Sequence, residues 1–341
     1  MANSSGNVTI KSIAEKLGVS FSTVSKALNG DPLVNEQTRK LVEKTAKEMN
    51  YTRNAFASGL RQRGSKTVAI IVNDIDIPAY GEMISSISGS LAEYGYTTMI
   101  SDSRYSEEFE RNSIRAALSW MPEAVIIAPA DPRSNNLSLL SSIKSKTLVI
   151  GDPEDETFNS VAIDHKHAGF ISAEKMLKNG IVSNLILAGP EGYRSSDLYL
   201  SGIREAYEKY GITLDEKKIF RFKPDLPTAY RCFKEYWSAD IDDVNGVLCF
   251  CDSIAFGIYR AAQEIGLSIP EDLSVIGYDD GPANDFTAPP LTTVRMPKDL
   301  IASHCRDFII HHLKDENSST YNYTIKPGLT SRGSVYKKGN K

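Results

Sequence analysis

Residues 18–29, with the sequence GVSFSTVSKALN, combine a glycine turn with side chains that can recognise a molecular surface. If a helix begins after Ser20, its 3.6-residue period places Phe21, Ser22 and Lys26 on one face. The apolar members of the segment fall on the opposite face: Val24, Ala27 and Leu28. A ring, a hydroxyl and an ammonium on one exposed side make apolar contacts and hydrogen bonds, and they need no covalent chemistry to do so.

A second set of polar residues lies at the ends of apolar runs in the rest of the chain. Each member follows a run that reads as a parallel strand, which is where doubly wound sheets bind ligands. The set comprises Asn73, Asp74, Asp152, Gly189, Pro190, Asp252, Asp279 and Asp280. Carboxylates and amides of this kind are hydrogen-bonding partners of a small polar ligand, so they predict a binding cleft.

Signatures of enzymes and metal sites are missing from the sequence. There is no GxSxG, GxGxxG, P-loop or HExxH motif, and His165 and His167 have no third plausible metal ligand. The four cysteines form no CxxC pair, and Cys249 and Cys251 lie in an apolar run where we expect small buried thiols. We therefore predict a protein that is not an enzyme and needs neither a cofactor nor a metal.

The elements that must position the cleft form a large α/β body. From Val68 onward, short apolar runs alternate with amphipathic stretches such as SGIREAYEKYG and IAFGIYRAAQEIG. The predicted strands are VAIIV (68–72), TTMI (97–100), AVIIA (124–128), TLVI (147–150), NLILA (184–188), GVLCF (246–250) and LSVIG (273–277). Continuous apolar runs of this length are typical of parallel strands with helices on both faces. Several such units in each half predict two doubly wound lobes.

The first 52 residues contain no strand pattern and predict a small all-α domain. Thr9, Ser20 and Asn35 stand where they can cap three successive helices. The third helix is expected to bury Leu41, Val42, Thr45 and Met49. Two helices joined at Gly18 and supported by a third form a helix-turn-helix, whose second helix enters the DNA major groove.

The charge distribution favours a nucleic-acid partner for this first domain. The chain has a net charge of −4, but residues 1–66 hold eleven Lys or Arg against five Asp or Glu, a net of +6. The remaining residues carry a net of −10. A basic surface without any partner is the alternative interpretation. No apolar run approaches ~18 residues and no export signal is visible, so we expect a cytoplasmic protein that does not enter membranes.

On these residues the chain resembles the lactose-repressor (LacI/GalR) family of bacterial transcription regulators. The segments that carry the resemblance include VTIKSIAEKLGVSFSTVSKALNG, RNAFASGLR (53–61), VAIDHKHAG (161–169) and PEDLSVIGYDDGPANDFTAPPLTTVRMP (270–297). It implies a helix-turn-helix domain at 1–52, a hinge helix and linker at 53–66, and an effector-binding, dimerising body at 67–341 that resembles periplasmic binding proteins. The lobes are expected at about 67–162 with 293–322, and at about 163–292 with 323–341.

The resemblance implies a homodimer whose two helix-turn-helix domains read adjacent half-sites of a roughly palindromic operator. Phe21, Ser22 and Lys26 would face base edges, where Lys26 reaches guanine O6 or N7 without the fork of an arginine. Further predicted contacts, chiefly to phosphates, come from Thr9, Ser20, Thr23, Ser25, Asn29 and Tyr51. Capping of helices is the alternative role for Thr9, Ser20 and Thr23.

The predicted hinge has a mechanism of its own. The segment NAFASGLR is too short for a stable isolated helix, so we expect it to order when two copies pair over DNA. The resemblance implies DNA contacts from Asn54, Ala57 and Leu60, with Leu60 wedged into a central base step of the minor groove. A linker leucine resting on the body is the alternative role for Leu60.

A small effector, a sugar or sugar derivative, is implied for the cleft between the lobes. The predicted effector-binding residues are Asp74, Tyr80, Asp164, Tyr193, Ser195, Tyr199, Phe222, Asp252 and Asp279. Helix capping is the alternative role for Asp279. Members of the family that bind sugars or purines usually carry arginine at the place of Tyr199. Loss of that guanidinium predicts weaker binding of anionic ligands, unless Arg194 takes its place.

We therefore expect a repressor that is associated with the bacterial nucleoid and binds double-stranded operator DNA, with an affinity that a small polar effector controls. Effector binding would favour one closure of the lobes and change the spacing of the two DNA-binding domains. Two other classes stay open at this point. One is a solute-binding protein of a transporter, and the other is an enzyme built on the same two-lobed body.

Overall fold

Two compact units make up the chain, residues 1–65 and residues 66–341, which we call the head and the body. The computed structural model describes residues 8–51, 65–131, 135–153, 155–238, 244–315 and 319–337. Within these ranges no helix has the length and apolar character needed to cross a bilayer.

The described part of the head consists of helices α1 (Ile10–Leu17), α2 (Phe21–Leu28) and α3 (Glu36–Glu48). A side-chain oxygen accepts a first-turn backbone N–H at the start of each helix, and the three capping residues are Thr9, Ser20 and Asn35. Gly18 ends α1 with a φ of 65°, a left-handed conformation that glycine adopts without a steric penalty. The predicted caps and the predicted turn are therefore confirmed.

The apolar core of the head forms where the inner faces of the three helices meet. Its buried members are Ile13, Ala14, Val24, Ala27, Val42 and Ala46. The prediction for α3 was wrong at Leu41, whose side chain is 51% exposed. The buried stripe of α3 runs through Val42, Thr45 and Ala46 instead, and one residue is a rotation of about 100° on a helix. Met49 is partly buried against this core.

Two six-stranded sheets form the body. The strands are β1 (Thr67–Val72), β2 (Thr97–Asp102), β3 (Ala124–Ile127), β4 (Thr147–Ile150), β5 (Asn159–Ile163), β6 (Asn184–Ala188), β7 (Ile219–Arg221), β8 (Gly246–Cys249), β9 (Ser274–Asp279), β10 (Thr292–Arg295), β11 (Asn322–Ile325) and β12 (Gly328–Thr330). The first sheet has the order β2-β1-β3-β4-β5-β11 and the second has the order β7-β6-β8-β9-β10-β12. All pairings are parallel except that of β10 with β12. Both sheets thus have the doubly wound order, which reverses between β1 and β3 and between β6 and β8.

Helices cover both faces of each sheet. They are α4 (Pro78–Ala92), α5 (Glu107–Ser119), α6 (His165–Lys178), α7 (Arg194–Lys209), α8 (Leu226–Ser238), α9 (Asp252–Ile265) and α10 (Lys298–Ile310). Buried clusters join the first sheet to α4 and α10 on one face and to α5 on the other. The second sheet packs against α6 and α7 on one face and against α8 and α9 on the other. Strands such as β3 are apolar throughout because both of their faces are covered.

The first lobe contains the first sheet with α4, α5 and α10, and the second lobe contains the second sheet with α6 to α9. Strand pairing moves the predicted lobe boundaries by a few residues. Strand β10, predicted to open the second part of the first lobe, pairs with β9 and β12 in the second sheet. Strand β11, predicted to begin the last part of the second lobe, pairs with β5 in the first sheet. The chain therefore passes between lobes after β5, after β10 and after β11.

The seven strands predicted from apolar runs are all present. The strands that the pattern missed are β5, β7, β10, β11 and β12, which are three to five residues long. Their sequences, such as NSVAI and TTVR, mix polar and apolar residues, so they lack the continuous run that marked the others.

Candidate functional site

Helix α2 presents the predicted recognition face outward from the head. Phe21 is 46% exposed, and Ser22 and Lys26 are also exposed. On the opposite side, Val24 and Ala27 are buried in the core. The face therefore lies on the surface of the head, and the packing of α2 on α1 and α3 fixes its orientation there.

The start of α2 is held by a small hydroxyl network. The Ser20 hydroxyl accepts the Thr23 backbone N–H at 3.1 Å and lies 2.8 Å from the hydroxyls of Ser22 and Thr23. At the start of α1, Thr9 and Ser12 form a reciprocal capping box. The capping roles of Thr9 and Ser20 are thus observed, while their phosphate contacts stay predictions.

The other predicted DNA-binding residues lie at different depths. Ser25 is half-buried and Asn29 is exposed at the end of α2. Tyr51 is partly buried against the core of the head. The remaining three, Asn54, Ala57 and Leu60, lie outside the described residues.

A cavity of about 490 Å³ lies between the two lobes of the body. It opens where the strands of both sheets end, as the doubly wound order requires. Five predicted effector-binding residues line it: Tyr80, Asp164, Tyr193, Ser195 and Asp279.

Four residues of the predicted effector set do not line this cavity: Asp74, Tyr199, Phe222 and Asp252. Tyr199 is fully buried in the second-lobe core, where its hydroxyl donates to the Cys249 carbonyl at 3.3 Å. Phe222 packs against the core of the same lobe, and Asp74 pairs with Lys223 at 3.5 Å. These residues lie on the predicted elements, but their side chains contact other residues of the protein and do not reach the cavity surface.

Asp252 organises the loop after β9 instead of the cavity surface. Its carboxylate accepts the Thr293 hydroxyl at 2.6 Å, the Asn284 amide at 2.7 Å and the Gly281 backbone N–H at 3.1 Å. Burial raises the pKa of this carboxyl group, while those three hydrogen bonds oppose the rise. Asp252 thus holds the segment that carries Asp279.

Asn73 and Asp152, which the strand-end pattern assigned to the predicted cleft, also line the cavity. Lining residues that neither the strand-end pattern nor the predicted effector-binding set contained are Tyr105, His165, Arg194, Phe250, Cys251 and Tyr278. Tyr105 follows β2 by three residues and carries no such signal. The predicted burial of the Cys249 and Cys251 thiols is confirmed, since both are nearly inaccessible and neither forms a disulfide.

Residues that line this cavity form direct contacts between the two lobes. The Tyr105 ring, from the first lobe, meets the Tyr193 ring of the second with centroids 5.3 Å apart. Arg194 Nε donates to Asp152 Oδ2 at 2.8 Å, again from the second lobe to the first. The lobes are therefore held together by polar and aromatic contacts that a relative motion would break.

Burial shapes the ionisation of the groups at the cavity. Burial and the Asp252 carboxylate raise the pKa of Asp279 well above its ordinary value. Burial also lowers the pKa of His165 to about 4, and its Nδ1 lies 2.9 Å from the Tyr278 hydroxyl. At neutral pH His165 is an uncharged hydrogen-bonding group, and a negative charge on Asp279 is costly.

The backbone at the end of β9 is strained. Asp279 has a φ of 135° and Asp280 a φ of 58°, conformations that side chains other than glycine rarely adopt. Asp280 accepts the Thr330 hydroxyl at 2.8 Å and pairs with Arg332 at 2.8 Å, so the end of β12 and the residues after it hold this turn. In the described part of the chain, no group of three or more His, Cys, Asp or Glu residues is arranged to hold a metal ion.

Two family models match the chain. The model of the bacterial regulatory proteins of the lacI family matches residues 9–54, and a periplasmic binding protein-like domain matches residues 173–335. The chain belongs to the lacI family. The first match contains the helix-turn-helix of the head, and the second lies in the two-lobed body. The predicted family and fold class are thereby confirmed.

Full-length relatives and solved structures agree with this assignment. The HTH-type transcriptional repressor PurR of Vibrio vulnificus is 26% identical over 331 residues, which cover 96% of this chain and 99% of the relative. PurR of Haemophilus influenzae is 27% identical over 331 residues, with coverage of 96% and 98%. A Lac repressor dimer bound to operator and the anti-inducer ONPF has a TM-score of 0.83 at 24% identity, covering 97% of this chain and 99% of that one. A complex of the regulator CelR with cellobiose has a TM-score of 0.72 at 22% identity, covering 96% and 100%.

As a lacI-family member, the chain is a DNA-binding transcriptional regulator with an effector-binding domain. Because its relatives are transcriptional regulators, the prediction that it is not an enzyme is confirmed. The similarity to the solved structures establishes the shared fold, which includes both lobes and the helical head.

Proposed function

We propose that this lacI-family protein is a repressor that binds a palindromic operator as a homodimer, under the control of a small polar effector. The observation that carries the proposal is the exposed face of α2, where Phe21, Ser22 and Lys26 project from a capped and packed helix-turn-helix. The PurR relatives support repression, and the operator-bound Lac repressor dimer supports the dimeric state.

In this proposal α2 lies in the major groove and reads base edges. Lys26 donates to guanine O6 or N7, Ser22 hydrogen-bonds a base edge, and the Phe21 ring contacts a thymine methyl group. Phosphate contacts set the register of the head and come from Thr9, Ser20, Thr23, Ser25 and Asn29. The caps of α1 and α2 place their hydroxyls beside the first-turn amides, which also attract phosphate.

The hinge proposal extends the interface into the minor groove. Tyr51, Asn54 and Ala57 contact the DNA backbone, and Leu60 enters a central base step. Pairing of two hinges over one operator requires two copies of the chain, which is consistent with the proposed homodimer.

The interlobe cavity is the proposed effector site. Tyr80, Tyr193 and Asp279 offer rings and an acceptor to a polyhydroxylated ligand of sugar type, and the CelR–cellobiose complex supports a sugar-like ligand. The ligand acts by stabilising one closure of the lobes, because it contacts both of them. The protein performs this role on the chromosome, in the bacterial cytoplasm.

Selection from a random DNA library tests the operator part of the proposal. The full chain is expected to enrich a palindrome, whereas residues 66–341 alone should enrich no sequence. Enrichment of the same sequence by the body alone, or of no sequence by the full chain, would refute sequence-specific reading by the head.

A thermal-shift screen of sugars, nucleosides and polyols tests the effector part. A ligand that binds the folded body raises its melting temperature. The same ligand must also change operator affinity, because control requires unequal affinity for the two states. A ligand that stabilises the body and leaves operator affinity unchanged would contradict the proposed switch.

A further inference from the structure

Asp279, the last residue of β9, places a carboxylate in the cavity lining without an ion-pair partner among the described residues. Among the described residues Asp279 makes no ion pair, and its carboxylate accepts the backbone N–H of Asp252. Lys298 acts on it electrostatically, but the Lys298 ammonium is bound to Glu82 at 2.5 Å. Burial raises the pKa of Asp279 because these partners do not offset the lost hydration. Lys298 is not among the residues that line the cavity, so no lining cation pairs with this carboxylate in the described part of the chain.

The basic residues that line the cavity are engaged elsewhere. Arg194 is paired with Asp152, and Lys166 is paired with Glu205 at 2.7 Å. His165 is uncharged at neutral pH, because burial lowers its pKa to about 4. Within the described lining, no unpaired cation is available to an anionic ligand.

Aromatic rings surround the same space. The lining contains Tyr80, Tyr105, Tyr193, Phe250 and Tyr278. The Tyr105 and Tyr193 centroids are 5.3 Å apart, and those of Phe250 and Tyr278 are 6.1 Å apart. Ring faces attract a cation, most strongly where water is excluded.

A buried amide holds the Tyr80 hydroxyl at the cavity. Asn73 lines the cavity, is only 9% exposed, and its Nδ2 donates to the Tyr80 hydroxyl at 3.1 Å. Its Oδ1 is buried and has no hydrogen-bond partner among the described residues. The carboxylates of the lining therefore supply the acceptors that an ammonium group requires, since that group is a donor with no acceptor.

We infer that the effector is a cationic polyol, a small hydroxylated molecule that carries a primary amine, such as an amino sugar. Its ammonium group pairs with the Asp279 carboxylate among the rings of Tyr80 and Tyr278, and its hydroxyls face the remaining polar lining. This inference rests on the proposed effector role of the cavity and names the chemical class that the site selects.

Calorimetric titration of the full chain with two matched sugar series tests this inference. The probes are glucosamine, glucose and N-acetylglucosamine, and galactosamine, galactose and N-acetylgalactosamine. In at least one series the amine should bind about tenfold more tightly than its neutral parent and its acetylated form. Equal affinity within each series, or preference for a neutral sugar, would overturn the inference.

Proton release on ligand binding is a second measurement, and a purely structural Asp279 would not produce it. Ammonium binding favours the ionised carboxylate and so lowers the pKa of Asp279. Protons leave wherever the free protein holds one on this group, and the binding enthalpy then depends on the ionisation enthalpy of the buffer. The other titratable groups that act electrostatically on or near Asp279 are Asp252, Glu82, Lys298, Tyr80, Tyr278 and Cys251. Binding enthalpies that are independent of the buffer at every pH from acid to neutral would contradict ionisation of Asp279 by the ligand.

Asp279→Asn and Asp272→Asn are the matched variants. Asp279→Asn should abolish both the amine preference and the proton release. Asp272→Asn makes the same chemical change outside the cavity lining, where the carboxylate accepts the Ser268 backbone N–H at 2.8 Å, a role that Asn also fills. This control should keep the amine preference, and thermal unfolding confirms that both variants fold.

The sugar titrations and the effector screen distinguish failure of the amine inference from failure of the proposed effector control. If a neutral sugar or a nucleoside binds and alters operator affinity, the amine inference is overturned while the effector-controlled repressor stands. If no ligand of any class alters operator affinity, the effector proposal and the amine inference both fall.

Discussion

Lys26 lies on the exposed face of α2, one helical turn from Ser22. Lys26→Ala should weaken binding by about 1–3 kcal/mol at the base pair it reads and relax the preference there. Affinities for operators with single base-pair changes measure both effects. Lys44→Ala, which removes an exposed lysine from α3, is the control and should leave the base preference intact. An equal loss on every sequence would show that Lys26 binds only phosphate.

The raised pKa of Asp279 makes the stability of the body depend on pH. In the unfolded chain this carboxyl group ionises near its ordinary pKa of 3.8, whereas the folded chain keeps it protonated to higher pH. Stability is therefore lost as pH rises from about 4 toward the folded pKa, by about 1.4 kcal/mol for each unit of the shift. Asp279→Asn should melt at a higher temperature than the wild type at pH 7.5, and the difference should vanish near pH 4. A lower melting temperature for the variant at pH 7.5 would contradict this.

Single residues were predictable where a local rule selects them. The caps at Thr9, Ser20 and Asn35 follow from hydroxyl and amide chemistry at helix starts, and the exposure of Phe21 follows from helical periodicity. Tyr199 was not predictable in the same way, because its position on α7 does not say whether its ring faces the cavity or the core. Tertiary packing decided that question in favour of the core.

Gly18 shows how one element depends on a backbone conformation. Nothing lies within 4 Å of a Cβ placed on Gly18, so Gly18→Ala acts through its φ of 65° alone. The cost is about 1–2 kcal/mol, and operator affinity should fall because α2 loses its fixed orientation relative to α1. Hydrogen exchange of the head amides and operator titration measure the two effects.

Gly81 in α4 provides the matched control for the glycine substitution. A Cβ there also meets nothing within 4 Å, but Gly81 is helical, so Gly81→Ala should stabilise α4 by about 0.5–1 kcal/mol. If Gly18→Ala and Gly81→Ala changed the protection of their own helices in the same direction, backbone strain would not be the explanation at Gly18.

Among the secondary-structure elements, the hydrophobic pattern predicted the central strands of each sheet and missed strands at the sheet edges. Strands such as β3 are buried on both faces and therefore read as unbroken apolar runs. Strand β11 lies at the edge of the first sheet with three of its four residues exposed, so its composition carries no such signal. The lobe boundaries were displaced for this reason, since β10 and β11 flank the crossings between lobes.

For the whole molecule, the pair Arg194–Asp152 tests whether contacts between lobes contribute to effector binding. Both side chains are about half exposed, at 48% and 50%, so their coupling should be only about 0.2–1 kcal/mol. A double-mutant cycle of Arg194→Ala and Asp152→Ala, read as effector affinity, should give a coupling in that range. Lys144→Ala breaks the Lys144–Asp155 pair within the first lobe and should have no effect. A loss as large for Lys144→Ala as for Arg194→Ala would contradict a specific contribution from the interlobe pair.

The asymmetry of charge along the chain could be read from the sequence because it needs no tertiary information. Residues 1–66 carry a net charge of +6, and the rest of the chain carries −10. The interlobe cavity was foreseen as a location, because parallel strands place their carboxyl ends at one edge. Its exact lining was not, because residues such as Tyr105 come from loops whose paths depend on the packed structure.

The salt dependence of operator affinity, measured for the full chain and for residues 66–341, tests the central claim most directly. If the basic head binds DNA, the logarithm of the association constant should fall linearly and steeply with the logarithm of salt concentration for the full chain. The selected palindrome should bind more tightly than a scrambled duplex at every salt concentration, and residues 66–341 should bind neither. Equal affinity for palindrome and scrambled duplex, or undiminished binding by residues 66–341, would contradict a sequence-reading head.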